Sequence, residues 1–134
     1  FRGDSRESQL DTDREGDFGN GISADEFQLE LSPGNFSDIA PEAWRFAGAN
    51  SGRYLDSPGH QIVVAAEEAP FGYFIEARIP WSSINVAPSP GLVIGANLNV
   101  NDNDTSGPLQ EMMKSNVPSR SYANPTTWGT LTLR

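Results

Sequence analysis

The sequence predicts an all-β protein, an antiparallel β-sandwich of jelly-roll type whose helices are single turns at most. Short runs of alternating apolar and polar residues recur from end to end, helical periodicity is nearly absent, and clusters of Gly, Pro, Asn and Asp separate the runs. The 13 Gly and 10 Pro among 134 residues make the chain rich in turns, while 7 Phe, 3 Trp and 3 Tyr supply bulky core material. A chain of this length closes one core, so residues 1–134 read as a single domain.

The elements follow in order. Glu7 to Leu10 leads into an acidic stretch. Phe27, Leu29 and Leu31 then alternate with Glu26, Gln28 and Glu30, which predicts a strand with one buried and one solvated face, ended by Ser32-Pro33-Gly34. Gln61 to Ala66 is a further apolar run. Phe71 to Ile79 is another, bounded by Pro70 and Pro80 because proline cannot donate to a strand ladder. Trp81, directly after Pro80, is expected to swing back over the sheet as a core anchor. Pro88-Ser89-Pro90-Gly91 makes a rigid turn into Leu92 to Val100, the central strand, with Leu92, Ile94, Ala96, Leu98 and Val100 on its apolar face. Trp81 to Ile84 and Leu109 to Lys114 are the two helical candidates, each a turn or so. The C-terminal alternation of Trp128, Thr130 and Thr132 with Gly129, Leu131 and Leu133 predicts a last strand whose Leu pair faces the core.

Eighteen Asp and Glu against nine Lys and Arg give a net charge of −9, which repels phosphate backbones and anionic headgroups and so excludes nucleic acid as a partner. No apolar run approaches the ~20 residues of a membrane span, so no membrane insertion is expected. The absence of Cys removes disulfides, thiolate zinc sites, iron–sulfur clusters and thiol catalysis. His60 is the one histidine, no Ser sits in a nucleophile elbow, and nothing selects a carboxylate pair for glycosidase work, so the chain is not read as an enzyme.

Two acidic stretches are candidates for calcium, which takes oxygen ligands. Asp11, Asp13, Glu15 and Asp17 occupy alternate positions around Gly16, like the first half of an EF-hand loop. Ile22 stands where that loop needs a bidentate Glu, so binding is expected to be weak and structural unless Asp25 or Glu26 folds back to complete the shell. The plain alternative is an acidic hairpin connection. Asp102 and Asp104, in Asn101-Asp102-Asn103-Asp104-Thr105, form the second candidate, and a simple strand-ending Asx turn is its alternative. For a neutral sugar, whose C–H faces stack on aromatic rings and whose hydroxyls need polar partners, the candidates are Trp44 with Arg45 beside it, Tyr54 and Tyr122. Each has a structural alternative as an amphipathic residue at the core edge.

Gly72-Tyr73-Phe74-Ile75-Glu76-Ala77-Arg78-Ile79-Pro80-Trp81 resembles the signature strand and turn of family 9 carbohydrate-binding modules. Arg2-Gly3-Asp4-Ser5-Arg6-Glu7 with Leu10-Asp11-Thr12-Asp13, then Asp25 to Leu29, Gly91 to Asp104, and Pro125 to Leu131 are similar to further family segments in the same order. The resemblance implies a β-sandwich with structural calcium that binds a glycan or polysaccharide without catalysis, outside the cell or at its surface. It also implies a module truncated on its N-terminal side, because the family's opening strands precede the Gly-Asp-Ser strand. An alternative is a structural or adhesive subunit of a cell-surface or filamentous assembly, completed by strands added from other protein chains. The most remote reading is a haem-binding sandwich, for which His60, Met112, Met113 and Lys114 offer axial ligands.

Overall fold

The computed structural model describes residues 4–14, 25–47, 54–55, 61–103, 112–122 and 124–134. Within them lie β1 (Ser5–Asp11), β2 (Glu26–Ser32), β3 (Glu42–Ala47), β4 (Tyr54–Leu55), β5 (Val63–Ala69), β6 (Gly72–Arg78), β7 (Val93–Asp102), β8 (Met112–Ser115) and β9 (Gly129–Thr132). Helical structure among these residues is confined to 3-10 turns at Trp81–Ile84 and Pro125–Thr127. The protein is thus an all-β sandwich, as its alternating runs imply.

A seven-stranded sheet runs β4-β3-β2-β1-β7-β8, and β9 also pairs with β7. All pairings are antiparallel. β7 is ten residues long, enough to take β8 against Asn99–Asp102 and β9 against Val93–Ala96 along one edge while β1 fills the other. The second sheet is the β5–β6 hairpin, closed between Ala69 and Gly72. Met112–Ser115 is therefore a strand and not the helical turn that its good helix formers suggest. The free edge of β7 supplies a hydrogen-bond ladder that outweighs a propensity difference of a few tenths of a kcal/mol per residue.

The core lies between the sheets. Leu10 of β1, Phe27, Leu29 and Leu31 of β2, Ala43 of β3 and Ile94 of β7 point toward β5 and β6, with Ile62 and Ile84 closing the cluster. Val64, Ile75, Ala77 and Ile79 pack against it from the hairpin side. Trp81 is not the anchor expected from its position. It is 38% exposed, whereas Ile84, at the other end of the same 3-10 turn, is 2% exposed and fills the core. Among the described residues, the sheet of β5 and β6 has no further strand for the indole to lie over. Leu131 shares the face of Ile94 yet is exposed, because β9 is an edge strand beyond the cover of the hairpin, and Trp128 is the buried residue of that segment.

The larger correction concerns the reverse face of β2. Glu26 and Glu30, expected in solvent, are each 1% exposed, and Gln28 is buried with them. β2 is an inner strand between β1 and β3, and polar side chains of neighbouring strands bond to this face, Glu7 to Gln28 and Ser5 and Asn101 to Glu30.

Candidate functional site

In an antiparallel sheet directly opposed residues share a face, so the strand register builds this second surface residue by residue. Glu7 faces Glu30 on one side and Asn99 on the other, Gln9 faces Gln28 and Asn97, and Ser5 faces Asn101. The side chains hydrogen-bond to one another in two adjoining groups, one around Glu7 and one around Glu30. Glu7 accepts from Gln28 Nε2 at 2.7 Å and from Asn99 Nδ2 at 2.7 Å. Glu30 accepts from Asn101 Nδ2 at 3.0 Å and from the Ser5 hydroxyl. Burying two carboxylates side by side costs several kcal/mol unless each lone pair finds a donor, and the amides supply those donors.

The segment after β8 lies against the group around Glu7. Tyr122 donates from its hydroxyl to Gln28 Oε1 at 3.0 Å, and its carbonyl accepts from Gln9 Nε2 at 3.4 Å. Arg120 Nε donates to Asn99 Oδ1 at 3.0 Å. Trp44 stands opposite Glu30 and Phe46 opposite Gln28, so both half-buried rings project from the same face. The result is a buried polar floor with Trp44, Phe46 and the partly exposed Tyr122 among its aromatic borders. Those rings offer stacking planes beside it.

Of the sequence-predicted sugar contacts, the structure brings Trp44 and Tyr122 to this one face. Arg45, the next residue along β3, lies on the other face, where its Nη1 donates to Ser83 O at 2.6 Å. Tyr54 belongs to the edge strand β4 and pairs with Ala47, and its side chain is outside the described residues. Glu7, Gln28, Glu30, Asn99 and Arg120 were not singled out from the sequence. A signal for the first four is legible in it: polar residues at every second position of three separate strands.

At the far end of β1, Asp25 stands beside the first residues of the acidic stretch. Asp11, Asp13 and Asp25 each present a carboxylate oxygen within 4.8 Å of the others. Thr12 ties the two ends of this connection together, its N–H and hydroxyl donating to Asp25 O at 3.3 and 3.0 Å. Gly95 faces Asp11 across the sheet, and a Cβ there would lie 2.9 Å from Asp11 Cβ, so only glycine leaves room for that carboxylate. Glu15, Asp17 and Asp104 lie outside the described residues, as do His60 and the side chain of Met112. Asp102 ends β7 at the opposite end of the β1–β7 pair from Asp11.

The sequence profile of a family described as carbohydrate family 9 binding domain-like matches residues 1–134. Among solved structures, a carbohydrate-binding module family 9 from Caldicellulosiruptor kristjanssonii in complex with cellotriose shares the fold with a TM-score of 0.62 and 21% identity, over 98% of this chain and 57% of the other. A structure of such a module from the same organism in complex with glucose superposes with a TM-score of 0.60 and 21% identity, over 98% and 59%. This chain therefore spans less than two thirds of the length of either. No curated protein matches its sequence.

Proposed function

The chain belongs to the carbohydrate family 9 binding domain-like family, and from that premise we propose that it is a non-catalytic module that binds a glycan on the polar face of its large sheet. The observation that carries this reading is the juxtaposition of Trp44 and Tyr122 with the floor formed by Glu7, Gln28, Glu30 and Asn99. A pyranose stacks its C–H face on an aromatic ring and exchanges hydrogen bonds with amides, carboxylates and Arg at its edge. Arg120, held by Asn99, supplies further donors at that edge. The cellotriose and glucose bound by the two similar modules make a β-glucan the first ligand to try.

Two features support binding over catalysis. Glu7 and Glu30 are the carboxylates at the centre of the face, and both are buried and engaged by amide donors. A general acid must instead reach the glycosidic oxygen with its proton. We place the module outside the cell or at its surface, where polysaccharide is met. Affinity electrophoresis against cellulose-derived and other plant, microbial and host glycans tests the reading. Retention that Trp44→Ala weakens supports it, and migration unaffected by every glycan overturns it.

We further propose that Asp11, Asp13 and Asp25 hold a structural calcium, with Glu15 and Asp17 as additional ligands from the same stretch. Three carboxylates this close repel one another, and a divalent cation bound only by the folded state relieves that repulsion. Saturation at 100 times the dissociation constant stabilises the fold by about 2.7 kcal/mol. Melting curves in chelator and in millimolar calcium are expected to differ, and to coincide in Asp25→Asn. Coincident curves in the parent chain would reduce this cluster to an acidic connection.

A further inference from the structure

The two sheets of the sandwich are unequal, seven strands facing two. Beside β6 they are separated by an open cleft of about 510 Å³, lined by Tyr73 and Ile75 of β6, Asp4 and Arg6 at the start of β1, and Val100 and Asp102 of β7. Small-molecule sites span ~300–1,000 Å³ and combine mostly apolar walls with a few polar groups.

The charges around this cleft balance. Arg6 faces Val100 from β1 and Lys114 faces it from β8, so two cations stand in one row on this side of the sheet. Asp4 and Asp102 flank the Ser5–Asn101 pair at the adjoining end of β1 and β7. Net charge therefore selects neither an anion nor a cation, yet strong donors and strong acceptors lie side by side. Among the described residues, Arg6 Nε is buried without a hydrogen-bond partner, and a buried donor in that state is one that a ligand can satisfy. Asp4 is held in place, its Oδ1 accepting from Asn103 N at 3.1 Å. A hydroxyl both donates and accepts, so neighbouring hydroxyls on one ring serve the guanidinium and the carboxylates together.

The remaining wall is apolar. Val100 is 51% exposed, and Leu98 and Ile75 are half-buried although they point between the sheets. Tyr73 adds a ring, packed against that of Phe36 with centroids 5.9 Å apart. Phe36 has a φ of 57°, uncommon for so bulky a residue, in a loop fastened by Asn35, whose Oδ1 accepts from the backbone N–H of Ser37, Asp38 and Ile39. Such a conformation persists only where its surroundings fix it, and here it sets a ring against Tyr73. Burial, then the Asp4 and Asp102 carboxylates, push the Tyr73 phenol above its ordinary pKa, so it keeps its proton and remains a donor.

We propose that this cleft is a second sugar site, which takes one neutral pyranose with its C–H face against Tyr73, Ile75 and Val100 and its hydroxyls donating to Asp4 and Asp102 and accepting from Arg6. It lies on the opposite side of the large sheet from Trp44 and Tyr122, so the two sites bind independently.

The test uses the full chain with isotope-labelled methyl groups and titrates in the methyl glycosides of glucose, xylose, galactose and mannose. At least one is expected to shift the resonances of Ile75, Leu98 and Val100 saturably, and its uronate and amino-sugar counterparts to bind more weakly. Arg6→Met keeps the length of the side chain and removes its donors, while Val100→Trp fills the cleft from an exposed position. Each should weaken the sugar by about tenfold or more with a native melting curve. The proposal is overturned if no glycoside moves these methyl groups, if a charged counterpart binds more tightly, or if either folded variant binds as the parent does. Side-chain amide resonances of Gln28 and Asn99 report the polar face in the same spectra. If they stay still while the methyl groups move, only the preceding proposal fails, and the reverse overturns this one alone.

Discussion

On the side of the large sheet that meets β5 and β6, Phe27, Leu29, Leu31 and Ile94 are buried against other hydrocarbon; on the reverse of the same strands Glu26, Glu30 and Asn99 are buried as deeply among amides and carboxylates. The two faces keep their order by different physics. Hydrophobic burial is non-directional, so the first face is held by volume and shape. Hydrogen bonds are directional, and a buried polar group left without a partner costs about 1–3 kcal/mol, so on the second face each side chain is tied to the position of its neighbours. A face of that kind contributes less net stability than an apolar one, but it holds its members in one arrangement. One side of the sheet is thus ordered by packing and the other by hydrogen bonds, and the glycan site proposed beside Trp44 and Tyr122 lies on the second.

The contrast can be broken most strongly from the apolar side. Leu29 is fully buried at the centre of β2, and Leu29→Ala is expected to cost about 2–5 kcal/mol in chemical denaturation, with glycan retention per folded molecule unchanged. On the polar side, Glu30→Ala strands the donors of Ser5 and Asn101 and should cost about 1–3 kcal/mol. Unlike Leu29→Ala, it should also weaken glycan binding, because the floor loses its registration, and parallel denaturation and affinity electrophoresis separate the two outcomes. At the rim, Trp44→Ala should lower glycan affinity by about tenfold, or about 1.4 kcal/mol, in isothermal titration while shifting the melting temperature less than Glu30→Ala does. The smallest effect is expected outside both faces: Trp81→Ala should destabilise less than Ile84→Ala, since the indole is exposed and the isoleucine is not. A larger loss at Trp81 would mean that the core extends beyond the cluster around Ile84.

The elements differ in how much of them could be read from the chain. The alternation in β2, the proline brackets around β6 and the apolar positions of β7 are local patterns with a period of two, and the strands form where those patterns lie. β8 could not be read this way, because Met112–Ser115 becomes a strand only by meeting the free edge of β7. Trp44 and Tyr122 were identifiable as amphipathic aromatics. That they share a face, while Arg45 does not, depends on the pleat of β3 and on the path of the segment after β8.

The sequence by itself determined that Phe27, Leu29 and Leu31 would lie together and that Glu26, Gln28 and Glu30 would lie together on the reverse, because the direction of a strand side chain is set by its own backbone. Whether that reverse face met water was decided only in the tertiary structure. Asn99 reaches Glu7 across 92 residues of chain, and Tyr122 reaches Gln28 across 94. A carboxylate is stable away from water only when its donors are delivered to it, and those donors come from strands and a segment that no local pattern places beside it.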